Sequence, residues 1–127
     1  MTTYDAASKN PLALAFVGDA YWTLYIRRHL VEKSNGKVNA LHQSANKFVC
    51  AKAQSGFYHK LAPFFTAIEA NIAGRARNSE CNTRPKNCTL AEYKLATAFE
   101  AVVGYNLLIG NKKRLANLFK LILAEEI

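Results

Sequence analysis

Apolar residues recur at three- and four-residue intervals along most of this chain, and no segment sustains the period-two alternation of a half-buried strand. Asn10-Pro11 reads as a helix start, a capping side chain followed by proline at the first helical position. From there to about Glu32 the pattern is apolar on nearly every face, which predicts a central, buried helix. The segment SNGKVN at 34–39 predicts a turn. A second helix is predicted from Asn39 to Leu61, with Leu41, Ala45, Phe48, Val49, Ala53 and Phe57 near helical spacing, and Pro63 stops it. Thr66-Ala-Ile-Glu69 has the form of a capping box and opens a third helix through about Arg77. Residues 78–88 hold Pro85 and four Asn or Thr residues without apolar periodicity, so they predict a loop. Thr89-Leu-Ala-Glu92 is a second capping box, and its helix runs to about Ile109, again apolar almost throughout. Gly110-Asn111 breaks that helix. Lys112 to Glu125 then forms a last amphipathic helix with Leu115, Leu118, Phe119 and Ile122 facing inward. The predicted class is all-α.

Half of the 127 residues are apolar, enough to bury one core, so the chain is expected to form a single domain over 1–127. No internal repeat or low-complexity tract interrupts it. Seventeen Lys and Arg against nine Asp and Glu give a formal charge of +8. Such an excess suits a polyanionic partner, through phosphate neutralisation and counterion release, or a merely soluble basic protein. A membrane surface is less apt, because the longest basic run is only Lys112, Lys113 and Arg114. The segment MTTYDAASKN lacks the charged-then-apolar order of a signal peptide, and Leu12 to Ile26 is too short to span a bilayer and carries Asp19. Cys50, Cys81 and Cys88 are odd in number and lack zinc-knuckle spacing, so they are expected as reduced thiols in a cytosolic protein.

The chemistry lies in what interrupts the two most apolar helices. LALAFVGDAYWTLYI contains one acid, Asp19, and ATAFEAVVGYNLL contains one acid, Glu100. A buried carboxylate is costly unless it is paired, hydrogen-bonded or bound to a metal. Each acid also has a glycine close by on its helix, Gly18 beside Asp19 and Gly104 one turn after Glu100. These glycines would let the two helices approach closely and bring both carboxylates to one point. Two readings stay open from the pattern alone. Each acid could pair with an arginine or cap a helix, or the two could form a hard-cation site. Mg²⁺ prefers oxygen ligands and is often held by only one or two carboxylates plus substrate phosphate. Joined to the basic composition, that suggests metal-assisted phosphodiester hydrolysis.

Other chemistries lack their motifs. No G-x-x-x-x-G-K-[ST] or G-x-G-x-x-G is present, and His29, His42 and His59 are scattered without an H-E-x-x-H. No Ser or Cys stands in a recognisable nucleophile context. Arg75, Arg77, Arg84 and Lys86 cluster around the predicted loop against Glu80, interleaved with Asn78, Asn82 and Asn87. Such side chains suit the phosphates and 2′-hydroxyls of an A-form duplex, although a solvated loop could look the same.

At these residues the chain resembles the ribonuclease III catalytic domain, and specifically its short form, Mini-ribonuclease III. The family segment E-x-L-E-F-L-G-D-A matches Leu12-Ala-Leu-Ala-Phe-Val-Gly-Asp-Ala20, and D-x-x-E-A-L-x-G matches Thr97-Ala-Phe-Glu-Ala-Val-Val-Gly104. Two acids of ordinary ribonuclease III are replaced by Ala15 and Thr97, a pattern typical of the short form. Leu41-His42, Ala51-Lys52-Ala53-Gln54, Phe64-Phe65-Thr66, Arg75-Ala-Arg77-Asn78, Pro85-Lys86-Asn87 and Tyr93 also look like the short form, with Ala76 where it usually has glycine. The resemblance covers essentially the whole chain and leaves no room for a separate double-stranded-RNA-binding domain. It implies a Mg²⁺-dependent endoribonuclease of double-stranded RNA, working as a homodimer and leaving 5′-phosphates. The family's known role is maturation of the large-subunit ribosomal RNA precursor in bacteria, with relatives in plastids, so the cytoplasm or a plastid stroma is the expected location. Asp19 and Glu100 are then the metal-binding and catalytic acids, with Thr97 supporting them by orienting a water. Arg75, Arg77, Asn78, Lys86, Asn87, Lys52 and His42 are then the RNA-binding candidates. Target choice would fall to RNA shape, or to a partner such as a ribosomal protein presenting the RNA.

Two other functions fit parts of the pattern. A non-catalytic RNA-binding or ribosome-associated module with this fold would account for the missing acids at Ala15 and Thr97. A small helical DNA-binding regulator would need a basic recognition helix, whereas the basic cluster here surrounds a loop.

Overall fold

The computed structural model describes residues 1–80 and 86–123. Within them α1 spans Thr3–Ala7, α2 Pro11–Lys33, α3 Val38–Val49, α4 Ala51–Leu61, a 3₁₀ turn Ala62–Phe64, α5 Ala67–Arg77, α6 Leu90–Leu108 and α7 Lys112–Leu123. No described residue lies in a strand, in agreement with the all-α expectation. Among the described residues no helix is long and apolar enough to cross a membrane.

The starts follow local chemistry. Asn10 caps α2 through Oδ1, which accepts from Leu12 N at 2.9 Å, and Pro11 follows at the first helical position. Thr66 and Thr89 both form complete capping boxes, with Glu69 and Glu92 returning a bond to the cap residue's own N–H at 2.9 Å. At the far end of α6, Gly110 has φ of 75°, a left-handed conformation that glycine adopts without a Cβ clash.

α6 is the axis of the bundle. It is buried from Ala96 to Asn106 except at Glu100, and α2, α4, α5 and α7 pack around it. Trp22 of α2 sits fully buried between three helices, meeting Phe57 of α4, Phe99 of α6 and Phe119 of α7 edge-on at centroid separations of 5.5, 5.2 and 4.9 Å.

The structure departs from the sequence pattern in three places. α2 is not buried all round. Leu14, Ala15, Gly18, Trp22 and Ile26 face the core, but Phe16 is 81% exposed, and Leu12, Leu24 and Val31 are exposed with it. Contiguous exposed apolar surface of this kind is characteristic of an interaction site. Next, the segment 39–61 is two helices. Cys50 is extended (φ −68°, ψ 157°) between α3 and α4, which sends α3 onto α2 and α4 onto α6. The break frees carbonyls at the end of α3, and two side chains satisfy two of them, one distant and one from the first turn of α4: Trp22 Nε1 donates to Phe48 O at 2.9 Å and Gln54 Nε2 to Val49 O at 3.0 Å. Side-chain periodicity continues across one extended residue, so the pattern could not show it. Finally, the short helix α1 carries no periodic signal. It is fixed by Ala6, which is fully buried, and by Arg75 Nη2 donating to Ala7 O at 2.6 Å.

A second long-range device ties α5, α6 and α7 together. Glu69 is 1% exposed and accepts from Arg114 Nη2 (2.7 Å) and Nε (3.1 Å), from Asn106 Nδ2 (2.9 Å) and from Thr66 N (2.9 Å). Arg114 also donates to Phe64 O at 2.7 Å. Burial by itself would raise the Glu69 carboxyl, but the bonds from Arg114, Thr66 and Asn106 and the Arg114 charge outweigh it and hold it below its ordinary value. A group with a lowered folded-state pKa stabilises the fold above its unfolded value of 4.5, and that stabilisation is lost as pH falls through the folded value. Removing one partner of a buried pair leaves the other charge uncompensated. Glu69→Gln is therefore expected to cost about 3 kcal/mol at neutral pH, and the gap to the native chain should close in acid. Urea denaturation of both chains at pH 7 and well below pH 4 checks this; an equal gap at both would contradict it.

Candidate active site

The two acids meet because two glycines let two helices touch. A Cβ placed on Gly18 would run into the backbone carbonyl of Glu100 and lie 2.8 Å from Gly104 N. A Cβ on Gly104 would run into the Leu14 carbonyl and lie 3.1 Å from Gly18 N. Leu14 therefore faces Gly104 while Gly18 faces Glu100, so the helices run in opposite directions at a backbone-to-backbone crossing. The expected close approach is what the structure shows. It puts Asp19, next to Gly18, beside Glu100.

The environments of the two acids differ. Asp19 is exposed rather than buried, on the outer side of α2, and Glu100 is half-buried. Burial, then the hydrogen bond and charge of Asp19, push the Glu100 carboxyl up from 4.5 to about 9, against a lowering contact from the Gln54 amide. Two carboxyls this close cannot both ionise cheaply, and a divalent cation between them removes the conflict. The donors are all hard oxygens, which fits Mg²⁺ and argues against a soft-metal site. Among the described residues no third His, Cys, Asp or Glu joins the pair.

Thr97, one turn before Glu100, is buried, and its hydroxyl donates to Tyr93 O on its own helix at 3.0 Å. Its lone pairs are what remain for a water. Ala15, where ordinary ribonuclease III has an acid, is buried in the core face of α2.

The RNA-binding candidates are placed unevenly. Arg77 and Asn78 are exposed at the end of α5, and Lys86 and Asn87 are exposed just before α6. Arg75 is half-buried and partly spent on structure, bonding Ala7 O at 2.6 Å and Asn71 Oδ1 at 3.0 Å. Cys81, Asn82, Arg84 and Pro85 lie outside the described residues. Lys52 is exposed and borders a hollow of about 430 Å³ with Lys47, Lys60 and Cys50. His42 is exposed on α3 and lines a different, apolar groove of about 170 Å³ with Arg27, Leu30 and Val38. Neither hollow is lined by Asp19 or Glu100. Gln54, which reaches the Glu100 carboxyl, stood in the sequence only as part of a family-like stretch. A polar residue within the apolar register of α4 is the signal that could have singled it out.

With fold and site in place, comparison with known proteins gives the class. The family description for the ribonuclease III domain matches residues 12–111, and the chain belongs to that family. It is an endoribonuclease. Its relatives include proteins named Mini-ribonuclease 3: one from Brevibacillus brevis, 41% identical over 116 residues (91% of this chain, 87% of the relative), and one from Streptococcus pneumoniae, 43% identical over 111 residues (86% and 87%). A third, from Clostridium tetani, is 37% identical over 123 residues (96% and 82%). The chain also superposes on the crystal structure of a protein from Fusobacterium nucleatum with a TM-score of 0.86 and 32% identity, covering 92% of this chain and 95% of that one.

Proposed function

We propose that this endoribonuclease is a Mg²⁺-dependent enzyme that cleaves double-stranded RNA as a homodimer of single-domain chains, with Asp19 and Glu100 as the ion ligands. The observation that carries this reading is the acid pair at the Gly18–Gly104 crossing, where a dication relieves a conflict the fold otherwise leaves standing. The ion, when bound, activates water and stabilises charge on the leaving oxygen. The chain supplies the rest. Asp19 faces solvent, where a phosphodiester can approach, while Glu100 is set deeper by α6. Thr97 keeps an acceptor near them, and Arg77, Asn78, Lys86 and Asn87 offer exposed donors to a backbone of phosphates and 2′-hydroxyls. The exposed face of α2, with Phe16 foremost, supports a dimer in which a second copy covers it. A cytoplasmic enzyme maturing the large-subunit ribosomal RNA precursor, with RNA shape or a presenting ribosomal protein choosing the target, is the reading that the resemblance of its sequence motifs implies.

The test is cleavage of a perfectly paired RNA duplex and of a DNA duplex of the same sequence, each with Mg²⁺ and with EDTA. Staggered RNA products with 5′-phosphates, formed only with Mg²⁺, are expected, and the DNA should stay intact. RNA binding without cutting under every condition would overturn the proposal and return both acids to structural duty.

A further inference from the structure

α4 brings to the acid pair a side chain that the two acidic motifs do not include. Gln54 is 1% exposed, and α4 packs directly on α6. A primary amide carries two N–H donors and an acceptor oxygen, and burying any of them unmatched costs free energy. Nε2 donates to Val49 O at 3.0 Å, a carbonyl that the break at Cys50 leaves without a continuing helix. The amide also hydrogen-bonds the Glu100 carboxyl. Its Oε1 is buried and has no hydrogen-bond partner among the described residues. Unmatched interior acceptors are uncommon, and this one belongs to a side chain already bound to a candidate ion ligand.

We propose that Gln54 is a positioning residue of the ion site: Nε2 holds the Glu100 carboxyl, and Oε1 supplies a third oxygen to the ion's shell. The proposal rests on the reading of Asp19 and Glu100 as ion ligands. A neutral oxygen suits the place. Divalent hard cations accept amide oxygens as readily as carboxylates, and a third negative charge would deepen the repulsion between two acids already in conflict. The bond to Val49 O locks the amide, so that the same break that separates α3 from α4 also fixes which way Gln54 can turn.

Gln54→Met keeps length and volume while removing both the donor and the oxygen. Calorimetric titration of metal-free protein with Mn²⁺ compares the native chain, Gln54→Met and Asp19→Asn. Ion affinity should fall roughly ten- to a hundredfold in Gln54→Met, and RNA cleavage by that variant should recover when Mg²⁺ is raised by a similar factor. A residue that only packed the core would not give that recovery. Independently of any variant, the Gln54 side-chain amide resonances of the native chain should shift on Mg²⁺ addition, and not in Asp19→Asn. This second measurement decides the matter if Gln54→Met fails to fold. Native ion affinity in a folded Gln54→Met, or amide resonances that stay still at saturation, would overturn the role of Gln54. A native chain that binds no ion would instead sink the acid-pair reading, and it would show in the native titration alone.

Discussion

Asp19→Asn and Glu100→Gln are each expected to slow cleavage of an RNA duplex at saturating Mg²⁺ by roughly a thousandfold, about 4 kcal/mol of barrier. Both swaps keep the size of the side chain and remove the charge that would hold the cation. A loss of activity alone would not separate a missing ligand from a damaged fold, but Glu100 offers a second readout of opposite sign. Its carboxyl is pushed up to about 9 from an ordinary 4.5 by burial and by Asp19. A group whose folded-state pKa is raised gives a stability contribution that is complete below the unfolded value and lost as pH rises through the folded one. The metal-free native chain should therefore lose stability as pH rises between about 4.5 and 9. Glu100→Gln has no proton to lose there. It should be at least as stable as the native chain at pH 8 without metal, and flat across the window. Thermal unfolding in EDTA at several pH values, beside single-turnover cleavage with Mg²⁺, measures both. An inactive variant that is also less stable at pH 8 would mean that Glu100 serves the fold.

The other large effect belongs to the crossing. Gly104→Ala should destabilise the chain by about 3 kcal/mol or more, lowering the melting temperature by roughly 10 °C, with Gly18→Ala close behind. The new methyl in each case meets main-chain carbonyl, that of Leu14 or Glu100, and no rotamer change can move it aside. The two helices must part instead, taking Asp19 away from Glu100, so ion binding should weaken with stability. Gly56 and Gly74 provide the control. Both sit inside helices, α4 and α5, with nothing within 4 Å of an added Cβ. Alanine there should be neutral or should stabilise by about 0.5–1 kcal/mol, the ordinary gain of replacing glycine in a helix. Melting curves of the four single variants decide it, and a similar response at all four would show that the crossing is looser than described.

What could be read in advance was whatever local chemistry and periodicity encode. The starts of α2, α5 and α6 were legible because Asn10-Pro11, Thr66 and Thr89 satisfy backbone donors within their own first turns. The acid pair was legible because lone carboxylates beside glycines in apolar helices need an explanation. Features set by distant partners were not. The break at Cys50 is held by Trp22, 26 residues before the carbonyl it bonds. Glu69 announced itself only as a cap, while the arginine that neutralises it lies 45 residues on. The outward face of α2 reads as core because a side chain awaiting a partner and one buried in its own fold are equally apolar. Asp19 was expected to be buried for the same reason.

The contact between Gly18 and Gly104 has a consequence for how this chain can change over time. The separation of the two acids is fixed by main chain against main chain and hardly at all by the bulk of any residue. Phe57, Phe99 and Phe119 could be exchanged for other fillers, and the bundle could swell or shrink a little, without shifting that spacing. Tolerance to drift and exactness of placement are thus assigned to different atoms. The apolar filling is left freer to vary, at the cost of two positions where nothing larger than a hydrogen is admitted.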